Sequence, residues 1–149
     1  HFFVRLVAVG LCAFLFFRFV CIPTRINGGS MLPTYPDGGF NFCWRPGVWW
    51  AEPQVGDIVI IRLAGHEVML LKRIVALAGE TVEFRDGVLY VDGKARSEPY
   101  VLYKSSWTLP PREVAPGHVY VVGDNRRMPM EQHKFGQVAV SRIIGRPLW

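Results

Sequence analysis

The chain has 149 residues, half of them hydrophobic and only 19% charged, with a mean hydropathy of +0.20. That length holds one domain of the usual size, roughly 100–150 residues, plus a short appendage, and it excludes a multi-domain machine. The composition excludes a disordered chain and points to a membrane.

The net charge of +5 rests on arginine; the lysines are only Lys72, Lys94, Lys104 and Lys134. No basic run, aromatic RNA-binding strand or ligand-spaced zinc set accompanies the scattered arginines. No nucleic-acid partner is therefore expected, and the charge fits solubility plus attraction to the lipid bilayer. Cys12, Cys21 and Cys43 form neither a disulfide framework nor a metal spacing, so no metal or other cofactor is expected.

Residues 2–22, FFVRLVAVGLCAFLFFRFVCI, are about as long as the twenty residues a bilayer core requires. Arg5 and Arg18 lie near the two ends, where long side chains can snorkel to the interface. The following FRFVCIPT lacks a small-residue cleavage site, which favours a retained anchor over a cleaved leader. A buried core helix is the alternative, but aromatics and arginines on all sides fit an anchor better. Arg5 before the span and Arg18 and Arg25 after it do not fix its orientation.

Residues 26–149 form the second unit, in which short apolar runs are broken by turn signals. Strands are predicted at 56–63, 67–77, 81–85, 88–93, 118–124 and 137–145, several rich in Val and Ile. Arg85-Asp86-Gly87 predicts a hairpin turn. Four prolines between 97 and 116 predict a connection, so that 80–118 becomes a hairpin-and-loop insertion. The fold class is mostly β: an antiparallel, barrel-like sheet domain behind one N-terminal transmembrane helix.

Three segments stand out from this scaffold. Gly28-Gly29-Ser30-Met31-Leu32-Pro33-Thr34 sets a serine in a small-residue loop that another backbone can approach closely, although an ordinary Ser/Pro turn looks the same. Lys72 lies in a strand whose two faces are both apolar: Val68, Leu70, Lys72, Ile74 and Ala76 on one, Met69, Leu71, Arg73, Val75 and Leu77 on the other. Burial there would lower the lysine pKa enough for a general base, whereas an edge strand would leave both cations in water. Gly123-Asp124-Asn125-Arg126 ends a strand, where Asp-Asn ordinarily makes turn hydrogen bonds, but a buried Arg73 needs a counter-ion and Asp124 is the natural one.

Ser-Met-x-Pro-Thr, a Lys-Arg strand followed by Gly79-Glu80, and then Gly-Asp-Asn-Arg, in that order after one apolar span, resemble the type I signal peptidases over nearly the whole chain. The resemblance implies a membrane-bound serine endopeptidase that cleaves signal peptides from exported preproteins after small residues in an Ala-x-Ala pattern. It implies a single-pass protein of the cell (cytoplasmic) membrane, with its catalytic domain on the extracytoplasmic side. Ser30 would be the nucleophile and Lys72 the general base. The Ser30 backbone N–H would serve the oxyanion, with Gly28, Gly29, Met31, Arg73, Asp124 and Asn125 in support. Ile26, Asn27, Gly28, Leu70 and Leu71 would bind the peptide by β-addition.

Two departures from the family pattern accompany this resemblance. Gly28 stands where some relatives carry a second hydroxyl donor. Pro129 stands where many carry a serine near the catalytic lysine, which leaves the group that orients Lys72 unidentified, while Glu131 and His133 fall at the acidic and basic positions of a structural pair. The aromatic run Phe40, Phe42, Trp44, Trp49 and Trp50 suits either a core or the headgroup layer. The rivals are a Ser-His-Asp hydrolase using His66, His118 or His133, a Cys43 nucleophile, a Ser/Lys peptidase dedicated to a few substrates such as pilins, and a catalytically impaired peptide-binding module.

Overall fold

The computed structural model describes residues 1–63 and 69–149. His66 and the first two residues of the strand predicted at 67–77 lie outside them. Helix α1 spans Phe2–Phe19, with none of its residues buried against the rest of the chain. Eighteen residues at ~1.5 Å each make about 27 Å, close to the thickness of a bilayer core. The helix is thus long and apolar enough to cross a membrane.

It stops three residues earlier than its apolar run. Pro23 disfavours a helical residue before it, and Cys21–Arg25 forms strand β1, paired antiparallel with β2, Phe40–Trp44. The β domain therefore begins at Cys21 rather than at residue 26. A proline is tolerated in β1 because β1 is the edge of its sheet.

The remaining strands are β3 (Ile58–Arg62), β4 (Met69–Ala76), β5 (Thr81–Arg85), β6 (Val88–Val91), β7 (Lys94–Ala95), β8 (Leu109–Glu113), β9 (His118–Val122), β10 (Gly136–Ala139) and β11 (Ile143–Pro147). They build a seven-stranded sheet in the order β1-β2-β11-β3-β4-β9-β10 and a four-stranded sheet in the order β7-β6-β5-β8. All the pairings described are antiparallel.

Two expectations from the sequence are corrected here. The single strand predicted at 137–145 is two strands separated by a 3-10 turn at Val140–Arg142, and β10 and β11 lie four places apart in the sheet. In a flat sheet that separation is about 19 Å, whereas a three-residue 3-10 turn advances only about 6 Å. The sheet must curl, which is the physical content of its barrel-like form. The stretch 97–116 is also more than a connection, because it contains β8. Pro110 and Pro111 conceal this strand, and they are tolerated at the edge of the smaller sheet.

The Asp-Gly hairpin forms as its sequence demands. Asp86 and Gly87 both take positive φ, 46° and 81°, joining β5 to β6 in the turn that matches strand twist. Two apolar clusters hold the domain together. Val59, Ile61, Ile74, Val119, Val121 and Ile143 fill the larger sheet. Phe84, Leu89, Trp107, Tyr120, Val122 and their neighbours seal the smaller sheet against β4 and β9. Strand β4 supplies Ile74 to one cluster and Val75 to the other, so both of its faces are covered, and from Arg73 onward it lies paired between β3 and β9 rather than at an edge that leaves both cations in water.

Candidate active site

Ser30 lies in a one-turn 3-10 helix, Gly29–Met31, capped by Gly28. Gly28 has φ +98°, a conformation side chains resist, which is a local reason for glycine at this point. Its N–H donates to Asp37 Oδ1 at 2.7 Å. Met31 is buried beneath the turn, and the turn packs directly on β4.

The turn after β9 grips this loop from the other side. Asn125 N–H donates to the Ser30 carbonyl at 2.9 Å, and Asn125 Nδ2 donates to the Gly29 carbonyl at 2.8 Å. A Cβ on Gly123 would collide with the Ser30 carbonyl and stand 2.7 Å from His133 Cε1 and Nε2. Gly123 is therefore required by close approach of two partners, not by its own dihedral angles.

Arg73 and Asp124 form the expected pair. Arg73 Nε and Nη2 donate to Asp124 Oδ1 and Oδ2 at 2.9 and 2.7 Å, with Asp124 fully buried. A bidentate fork of this kind combines charge assistance with fixed geometry. Thr34 Oγ1 adds a third bond to Asp124 at 2.6 Å, and Arg73 Nη1 donates to the Gly56 carbonyl at 2.9 Å.

Sequence reasoning missed the outer half of this brace. The Arg73 guanidinium lies 3.9 Å from the Tyr100 ring centroid, and the Tyr100 hydroxyl donates to Glu98 at 2.9 Å. Glu98 takes both terminal nitrogens of Arg126 at 3.0 and 2.5 Å, while Arg126 Nε donates to the Gly123 carbonyl at 2.8 Å. The loop after β7 thereby clamps the 123–126 turn. Arg126 was visible beside the Gly-Asp-Asn motif, but nothing in the local pattern names Glu98 or Tyr100.

Lys72 is only 2% exposed. It pairs across β3 with Val59 and lines a cavity with Ile61, Leu70, Val121, Lys134 and Phe135. Burial first, and the Lys134 charge second, pull its pKa from the ordinary 10.5 down to about 8, against an opposing pull from Asp124. Lys72 and Arg73 face opposite sides of the sheet and meet opposite fates, one a partly neutral amine with no carboxylate partner among the described residues, the other a fully paired cation.

Ile26, Asn27, Gly28, Leu70 and Leu71 line one groove together with Ser30 and Met31. Strand β3 accompanies β4 from Met69 to Arg73, whereas β9 pairs with it only from Arg73 onward. Residues 69–72 therefore have one edge with no strand partner among the described residues, open to an extended peptide.

The rivals fare as follows. Cys43 is buried, and burial pushes its thiol up to about 11, so it carries no thiolate at neutral pH. His118 begins β9 and faces the Pro116 carbonyl at 3.0 Å, about 17 Å of strand away from Gly123. The suggested pair of Glu131 and His133 does not form: Glu131 is exposed, while His133 is buried with both ring nitrogens unpartnered. Its ring turns inward against Trp107, with centroids 4.8 Å apart, and burial followed by the Lys72 and Arg126 charges lowers its pKa to about 3.

Comparisons with known proteins point to one family. The model of the family described as signal peptidase, peptidase S26, matches residues 1–149. The probable signal peptidase I-1 of Synechocystis is 34% identical over 98% of this chain and 79% of its own length. Signal peptidase I of Bacillus amyloliquefaciens is 34% identical over 94% and 78% respectively. Thylakoidal processing peptidase 1 of Arabidopsis thaliana is 32% identical over 85% of this chain, which spans only 41% of that relative. Among solved structures, a signal peptidase I from Enterococcus faecalis superposes with a TM-score of 0.53 at 30% identity, over 64% of this chain and 97% of that one. A loop serine, a buried lysine and a braced Gly-Asp-Asn turn on a curled antiparallel sheet thus occur in a chain that belongs to the signal peptidase family, peptidase S26, and so to the serine proteases.

Proposed function

We propose that the protein is a membrane-anchored endopeptidase that cuts signal peptides from exported preproteins after small residues, with Ser30 as nucleophile and Lys72 as general base. The observation that carries this reading is Lys72 itself: a buried amine, held near pKa 8, on the strand against which the Ser30 turn packs. At pH 7 about a tenth of such an amine is neutral, against less than a thousandth of a free lysine.

Neutral Lys72 takes the Ser30 hydroxyl proton as Oγ attacks the scissile carbonyl. The Ser30 N–H, in the first turn of its 3-10 helix where amides lack intrahelical partners, donates to the oxyanion. The ammonium then protonates the leaving amine, and the same lysine activates the water that hydrolyses the acyl-enzyme. The peptide extends between residues 26–28 and the free edge of β4 at Leu70 and Leu71. The narrow groove admits small side chains at alternate positions, as an Ala-x-Ala signal presents them.

Helix α1 holds the domain at the membrane of the cell, with the catalytic domain on the extracytoplasmic side. Phe17 of the helix packs 6.2 Å from Phe42, and Phe40, Trp49 and Trp50 are exposed nearby in the chain, a surface suited to the headgroup layer. The test is incubation of the detergent-solubilised protein with a preprotein carrying an Ala-x-Ala site, beside Ser30→Ala and Lys72→Ala. Cleavage by wild type and by neither variant is expected. Cleavage surviving in either variant refutes the pair, and none by wild type favours a peptide-binding module.

A further inference from the structure

Within the reading of Ser30 and Lys72 as the reacting pair, the segment that leads into the Lys72 cavity begins at Pro129, and proline offers no donor and no N–H. The 3-10 turn that begins just after it, Met130–Gln132, ends on His133. His133 is 2% exposed, and both of its ring nitrogens lack partners among the described residues. An orphaned buried polar group costs free energy, so one in a native site asks for a role.

The ring lies against the Ser30 turn. Its Cε1–Nε2 edge and the Ser30 carbonyl fill the same space beside Gly123. Gly123 follows Val122, which pairs with Arg73; by alternation the open side of Gly123 is on the Lys72 face of the sheet, not the Arg73 face. The neighbouring Lys134 and Phe135 line the Lys72 cavity, and Phe135 also packs against the cluster that holds Val75, Trp107 and Val122. Trp107 and Phe135 hold the ring, at centroid distances of 4.8 and 6.1 Å.

We infer that His133 is the positioning residue for Lys72, its Nε2 accepting a hydrogen bond from the amine across the Gly123 gap and so directing the amine lone pair at Ser30 Oγ. A neutral amine has two N–H groups and one lone pair; fixing one N–H fixes where the lone pair points. The bond is made in the peptide-bound site, where catalytic hydrogen bonds tighten. Only a neutral imidazole has an accepting nitrogen, and burial first, then the charges of Lys72 on β4 and Arg126 in the turn, keep this one neutral; Lys134 adjoins it in the chain, and Glu98 is committed to Arg126.

The test uses the full chain in detergent with an Ala-x-Ala preprotein, comparing His133→Phe, His133→Leu, His133→Gln and His133→Asn with wild type, beside Lys72→Ala. Phe and Leu fill space without an acceptor; the Gln amide reaches where Nε2 lies, and the shorter Asn reaches only Nδ1. His133→Phe, or His133→Leu where Phe is not accommodated, should lower kcat about 10- to 100-fold with KM unchanged. Loss of the acceptor also destabilises the ammonium in the peptide-bound site, so the acid limb of kcat, which reports that complex, should move to lower pH. His133→Gln should recover most of kcat, and His133→Asn should not. Wild-type kcat in His133→Phe or His133→Leu, or Gln no better than Leu at equal melting temperature, overturns the inference. Should Lys72→Ala stay active while His133→Gln is dead, the Ser30/Lys72 reading itself fails in favour of a histidine base.

Discussion

A lysine buried as Lys72 is should be a burden on the fold, and the size of that burden can be worked out. Holding Lys72 at about 8 rather than its ordinary 10.5 costs the folded state about 3 kcal/mol wherever the solution lies below pH 8. The folded-state pKa is the lower one, so the penalty is fully present below it. It fades as pH rises from 8 to 10.5, where the unfolded chain also releases its proton. Lys72→Met keeps the length of the side chain and removes the charge. This variant should be inactive, and at pH 7 it should be more stable than wild type by up to about 3 kcal/mol, on the order of 10 °C in melting temperature. Thermal unfolding of both proteins in one detergent, followed by near-ultraviolet circular dichroism at pH 7, 9 and 10.5, measures the difference directly. It should shrink steadily and nearly vanish at the highest pH. A Lys72→Met protein that melts below wild type at pH 7, or a gap that stays constant across the series, refutes the account of Lys72 as a desolvated amine.

The surroundings of Lys72 yield three further expectations. Lys134 lowers the Lys72 pKa, so Lys134→Gln should move the acid limb of kcat/KM to higher pH by a few tenths of a unit; because Lys134 is exposed, 0.5 M salt should close most of the gap in a pH-rate titration. Gly123→Ala puts a methyl group into the Ser30 carbonyl, which only backbone movement can relieve; it should cost at least about 100-fold in kcat and lower the melting temperature as well. Glu98→Ala leaves the buried Arg126 with the Gly123 carbonyl as its remaining partner, and urea titration should report a loss of about 3 kcal/mol.

Much of this site could be read before any coordinates because its chemistry is local. Lys72 stood out as a cation in a run apolar on both faces, and Asp124 as the carboxylate that a buried Arg73 would need. The Asp86-Gly87 hairpin followed from the backbone conformations its turn requires. What escaped reading is tertiary. Strands β1 and β8 carry prolines, which obscure the alternation that marks a strand and are permitted only because both are edges, a property of the sheet rather than of the segment. The stretch 137–145 reads as one apolar strand because a 3-10 turn of Val-Ser-Arg has no glycine or proline to announce it. Tyr100, Glu98 and His133 meet the 123–126 turn across 20 or more residues of chain or from within a polar segment, so no window of sequence contains both the residue and its reason.

The adjacency of Lys72 and Arg73 makes the site economical in backbone terms. Alternation along β4 sends consecutive side chains to opposite faces, so one strand delivers a cation that must stay unpaired and a cation that must not. The same turn then meets both. Asp124 neutralises Arg73 on one face, while Gly123, one residue earlier, leaves room on the other for the Ser30 carbonyl and the His133 ring. A register slip of one residue would put the arginine, which does not give up its proton, where the proposed base lies. The Arg73–Asp124 fork opposes that slip, since it closes only when Val122 stands opposite Arg73. The pair that takes no part in proton transfer is thus what keeps Lys72 on the face where Ser30 is presented, and this accounts for a buried ion pair whose net contribution to stability would otherwise be small.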